Sequence, residues 1–116
     1  EIENLLHGSP VPGEPGIFAA GGVRLVVQPL PESARSVRIG SREIVLSRGH
    51  LDSSLRNQLR GTIVRAEVTG ANEVLVTLDC GVPLQCVVTR ASWEGLGLTV
   101  GGTAVASVKA TAVRAS

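Results

Sequence analysis

Three short segments in a row, each closed by a tight turn, limit what this chain can become. Gly61-Thr62-Ile63-Val64-Arg65-Ala66-Glu67-Val68 alternates apolar with polar side chains, the two-residue period of a half-buried strand. Gly70-Ala71-Asn72 turns the chain, and Glu73-Val74-Leu75-Val76-Thr77-Leu78-Asp79 follows. A turn at Gly81 then leads into residues 83–88. Many short strands with frequent turns make a small all-β domain. The supply of core residues agrees. With one Phe, one Trp, no Tyr and no Met, the interior has to be filled by Val, Leu, Ile and Ala, a set that favours strands. Fourteen glycines and six prolines provide the turns.

The remaining segments complete an outline. Residues 103–110 read as a further strand. Between it and the third segment lies the one credible helix, 90–97, with Thr89 as its N-cap and Gly97 as its C′ residue. Strand–strand–strand–helix–strand is the order of a small Greek-key barrel of the OB type. Ahead of it, residues 23–28, 36–39 and 43–46 read as three more strands, while residues 1–22 read as loop-rich. In particular, Gly8-Ser9-Pro10-Val11-Pro12-Gly13-Glu14-Pro15-Gly16 breaks both ladders and helices. The expectation is an all-β chain: an N-terminal three-strand unit over 1–52, packed on an OB-like barrel with one short helix over 53–116.

At 116 residues this is one domain, or two very small β units sharing a core. A net charge of +1 does not suit a polyanion binder, and two aromatic residues provide no stacking platform for single-stranded nucleic acid. No apolar run approaches the ~20 residues of a membrane span. The start at Glu1 lacks a secretory signal pattern, and because it is not Met the chain is expected to be a fragment.

Two stretches fifty residues apart carry chemistry. Ser54-Leu55-Arg56-Asn57-Gln58-Leu59-Arg60-Gly61 and Ser107-Val108-Lys109-Ala110-Thr111-Ala112-Val113 combine cations, hydroxyls and small residues without a carboxylate. A tetrahedral dianion such as molybdate, tungstate or sulfate offers only acceptors, so its site must offer only donors, and a nearby carboxylate would repel it. Arg56 and Lys109 bring charge, Ser54 and Thr111 hydroxyls, and the backbone around Ala110 N–H groups. Thr89 and Ser92 add hydroxyls at the positive end of the helix. Each piece also has an ordinary role, as a cap, a solvated loop residue or a strand-end cation. No metal site is expected, since His7 and His50 both lie far from Cys80 and Cys86. No nucleophile–base pair stands out either, and Gly-x-x-x-x-Gly-Lys-Ser/Thr does not occur, so the chain is not expected to be an enzyme.

Residues 54–61 resemble the Ser-Ala-Arg-Asn-Gln-Leu-Lys-Gly signature of molybdate/tungstate-binding Mop domains, also called TOBE domains. Val108-Lys109-Ala110-Thr111 resembles that family's Ile-Lys-Ala-Thr/Ser closing strand, and Thr89-Arg90-Ala91-Ser92 its Thr-x-x-Ser turn. The order and spacing match over 53–114, with Leu55 where alanine is common and Arg60 in place of lysine. Asn4-Leu5-Leu6-His7-Gly8 and residues 37–46 resemble the segment that follows the nucleotide-binding domain in ATP-binding subunits of molybdate importers. There, Glu43 stands for the usual Asp and Gly40 for the usual Arg. The resemblance implies a cytoplasmic regulatory domain of an ABC importer ATPase, peripheral to the inner membrane through its transporter. Its ligand would be molybdate or tungstate with no cofactor, held by Ser54, Arg56, Thr89, Ser92, Lys109, Ala110 and Thr111. It further implies a homodimer with sites at the interface, Ser54 and Arg56 of one chain facing Thr89, Ser92 and Lys109 of the other. Further partners would be the nucleotide-binding domain and the permease, not nucleic acid. A stand-alone molybdate storage protein or the effector domain of a molybdate-responsive transcription regulator would carry the same motifs. In the cytoplasm Cys80 and Cys86 are expected as two thiols, although a cross-strand disulfide also fits their spacing.

Overall fold

A computed structural model describes residues 2–116; Glu1, the first residue of the expected N-terminal unit, lies outside them. The three turn-linked segments form strands β7 (Asn57–Val68), β8 (Glu73–Asp79) and β9 (Pro83–Thr89), followed by helix α1 (Arg90–Leu96) and strand β10 (Thr103–Val108). With β6 (Val45–Ser47) they make a curled five-stranded antiparallel sheet in the order β6-β10-β7-β8-β9. Its edges approach each other, and the Val87 N–H donates to the Ser41 carbonyl at 3.0 Å. This is the OB-like outline expected from the sequence.

β7 serves two neighbours because it bends. Residues 57–62 pair with β10 and residues 62–68 with β8, and a bulge interrupts the β8 pairing between Ile63 and Arg65. Gly61 makes the crossing possible: a Cβ there would lie 2.4 Å from the Asp79 carbonyl oxygen.

The first half holds more strand than its sequence suggests. The three expected strands are β4 (Val23–Val26), β5 (Ser36–Gly40) and β6, but residues 1–22 also contain β1 (Glu3–His7), β2 (Ser9–Pro10) and β3 (Ile17–Ala20). The alternation in β1 was hidden because one of its two inward positions is the polar Asn4. Only residues 11–16, with Gly13 and Gly16 at positive φ, are the irregular loop that prolines and glycines dictate. At the other end, the expected strand 103–110 stops at Val108. Lys109 opens a 3₁₀ turn over Ala110–Ala112, after which β11 (Arg114–Ala115) follows.

The two halves are interlocked. β6, from the first half, pairs with β10, while β11, from the second, pairs with β5 in the sheet β1-β5-β11. Asn57, only 3% exposed, acts as a one-residue strand: its amide donates to the Val26 carbonyl at 2.8 Å and its carbonyl accepts from the Val26 N–H at 2.7 Å. Asn4 does the same to Gln85, at 2.9 and 2.7 Å, and also donates to the Ile39 carbonyl at 3.1 Å. One apolar cluster runs through both halves, including Phe18, Leu25 and Ile39 from the first and Ile63, Leu78 and Val108 from the second.

These matched features amount to an internal duplication. The order β11-β5-β1, continued through β2-β3-β4 across Gly8, repeats the order β6-β10-β7-β8-β9. Gly8 is the counterpart of Gly61, since a Cβ on it would lie 1.9 Å from the Ala19 carbonyl oxygen. Asn4 pairs with Ile39 as Asn57 pairs with Val108, and Arg114 pairs with Arg38 as Val45 pairs with Ser107.

Candidate functional site

The two donor-rich stretches meet at one end of the β7–β10 ladder. Its last rung is Asn57 with Val108, so Arg56 and Lys109 leave the ladder side by side, both exposed. Asn57 anchors this end through its clamp on Val26. Gln58 shapes the loop before it: the carboxamide accepts from the Leu51 N–H at 2.7 Å and donates to the carbonyls of Leu51 (2.7 Å) and Leu55 (3.3 Å). The Ser53 hydroxyl accepts from the Leu55 N–H at 3.2 Å, so exposed Ser54 lies in a loop pinned on both sides. Across from it, the Lys109 carbonyl closes the 3₁₀ turn by accepting from the Ala112 N–H at 3.0 Å. Ala110 is buried with its carbonyl accepting from the Gln28 N–H (3.3 Å), while Thr111 is exposed. Among the described residues neither Arg56 nor Lys109 forms an ion pair. Two cations without carboxylate partners leave a local positive potential open to an anion.

Thr89 and Ser92 form a second cluster. Thr89 Oγ1 accepts from the Ser92 N–H at 3.0 Å and donates to Ser92 Oγ at 2.8 Å, leaving the Ser92 hydroxyl proton free for another acceptor. Both line an open groove of about 500 Å³, walled by Ile44, Val45, Leu46, Val88 and Leu96. Thr89 pairs with Glu73 at the Val68 end of β7, whereas Arg56 precedes its Asn57 end. Arg56 and Lys109 thus share the Asn57 end of β7, while Thr89 and Ser92 lie in the groove beside α1, whose Val45 wall pairs with Ser107. The division implied by the family resemblance, with Lys109 opposite Arg56 on the partner chain, changes here: ladder register sets Lys109 beside Arg56 in the same chain.

Asn57 and Gln58, which position the donor loop, were present in the signature but not singled out. An amide flanking an Arg reads as a turn residue until its partners are seen. The cysteines are both free. Cys86 is paired with Val76, while Cys80 lies beyond the last rung, Asp79 with Pro83, so they do not face each other across the hairpin. Burial pushes the Cys86 thiol up to about 12 and raises Cys80 as well. Among the described residues no three His, Cys, Asp or Glu side chains gather where they could hold a metal ion.

The sequence profile of the TOBE domain matches residues 53–115. The chain belongs to the TOBE domain family. Over 97% of its length it is 33% identical to the molybdate/tungstate import ATP-binding protein WtpC of Pyrococcus abyssi (strain GE5 / Orsay). This TOBE chain spans about a third of the length of that relative, 32%. Among solved structures it is similar to the cytoplasmic molybdate-binding protein ModG in a crystal form with molybdate bound. The TM-score is 0.77 and the identity 25%, over 95% of this chain and 92% of the other. The family read from the three motifs is therefore the family the whole chain supports, and the OB-like β-fold is ModG's fold.

Proposed function

We propose that this TOBE domain binds a tetrahedral oxyanion, molybdate or tungstate, between two copies of itself. The observation that carries this is the pairing of Arg56 and Lys109 at the end of β7–β10, exposed and not engaged by carboxylates. Ser54, Thr111 and the backbone near Ala110 extend that donor set. Thr89 and Ser92, placed elsewhere on the same chain, complete it when supplied by a second copy, and a twofold interface then makes two equivalent sites. The molybdate bound by ModG and the molybdate/tungstate import role of WtpC support the choice of ligand.

The domain is a binding module, not a catalyst, and its role is regulatory: in a cytoplasmic importer ATPase subunit, occupancy would bias the transporter through linkage. Similarity to WtpC along nearly the whole chain favours this. ModG, matched over 92% of its own length, keeps a stand-alone binding protein as the second reading. Calorimetric titration with molybdate, tungstate and sulfate, alongside light scattering for dimer mass, tests the site. Lys109→Ala should weaken binding at least tenfold, since a charge-assisted hydrogen bond contributes about 1.5–3 kcal/mol. Equal affinity in that variant would overturn the site.

A further inference from the structure

The duplication gives the two cations of the proposed site counterparts in the first half, and neither counterpart is a cation. Because Asn4 corresponds to Asn57, Glu3 stands where Arg56 stands. Because Ile39 corresponds to Val108, Gly40 stands where Lys109 stands, and Glu3 and Gly40 are indeed partners on the β1–β5 ladder. Continuing along the chain, Arg42 takes the place of Thr111 and Glu43 that of Ala112. The clamps align the other edge, Val26 with Gln85, so that Leu30 takes the place of Thr89.

The position is also filled. Arg114, itself the counterpart of Val45, pairs with both Glu3 and Glu43, the latter at 3.4 Å. Arg42, the one other cation in that turn, forms a two-point pair with Glu73. Where the second half presents Arg56 and Lys109, a formal charge of +2, the first presents Glu3, Arg42, Glu43 and Arg114, a formal charge of 0. A dianion approaching there meets two carboxylates and a guanidinium already neutralised by them.

Resting on the oxyanion reading above, we infer that the first-half counterpart is a closed, anion-excluding position. Each chain then carries one oxyanion site rather than the two its duplicated fold would allow, because Glu3 and Gly40 stand where the two cations would have to be. The internal ion-pair triad holds in place what the ligand would hold in the other half.

Counting bound molybdate tests the inference. Calorimetry or equilibrium dialysis on the whole chain should give one equivalent per chain. Lys109→Ala and the milder Lys109→Gln should each weaken that equivalent at least tenfold while circular dichroism stays native, and Glu3→Gln should leave both stoichiometry and affinity within about twofold of the starting protein. Two equivalents per chain, or one equivalent bound by both Lys109 variants at the parental affinity, overturns the asymmetry and leaves oxyanion binding standing. No binding by the folded, unsubstituted chain overturns the oxyanion reading and this inference with it.

Discussion

Asn57 spends its whole side chain on holding two halves of a molecule together. Its carboxamide meets both the N–H and the carbonyl of Val26, a neat substitute for a missing strand rung. Alanine at this position would leave both backbone groups of Val26 without partners in a half-buried setting. Loss of about 2–3 kcal/mol in denaturant-derived stability is expected, because an orphaned polar group costs more than the net value of the bond it made. A loss below about 0.5 kcal/mol would show that water replaces the clamp. The same residue sits next to Arg56, so stability and site geometry share one anchor. Arg56 and Lys109 contribute nothing comparable to the fold: both are exposed and neither is tied into an ion pair among the described residues.

At the scale of elements, β7 decides the shape of the sheet, and Gly61 decides β7. A methyl group there would press into the Asp79 carbonyl, a backbone atom that cannot rotate away. Gly61→Ala should therefore cost about 1–3 kcal/mol, the range for overpacking a tight site, with the unfolding slope unchanged. A variant as stable as its parent would mean that β7 and β8 separate at no cost. Elements of this kind were only partly legible. The 61–68, 73–79 and 83–88 strands and α1 announced themselves by alternation, turn residues and a Thr cap, all local signals. β1 and β3 did not, because Asn4 breaks the apolar pattern of one and the other is four residues long. The partner of β1, β5, lies far along the chain, whereas β3 pairs with its sequence neighbours β2 and β4. The candidate site shows the same division: its donors were visible as residue types, but the ladder register that sets Lys109 beside Arg56 exists only after folding.

For the whole molecule, interlocking predicts cooperativity. With β6 held by β10, β11 held by β5, and one apolar cluster through both halves, neither half has a finished sheet of its own. Thermal or denaturant unfolding should be a single transition, with the fluorescence of the lone Trp93 and far-UV circular dichroism tracing the same curve. Two separated transitions would show the halves to be independent. If the proposed site holds an oxyanion between two folded chains, adding molybdate should raise the midpoint of that one transition.

The exchanged strands also set an order of events at birth. When a ribosome has delivered Ser47, the strand that β6 will pair with still lies more than fifty residues downstream. At about 5–20 residues per second, β6 waits roughly 3–12 s with its edge unpaired, and β5 waits longer still for β11. An unpaired edge is an invitation to a neighbouring chain. In this protein the sheet opened by β1 is closed by β11, a strand that follows all the others in the chain.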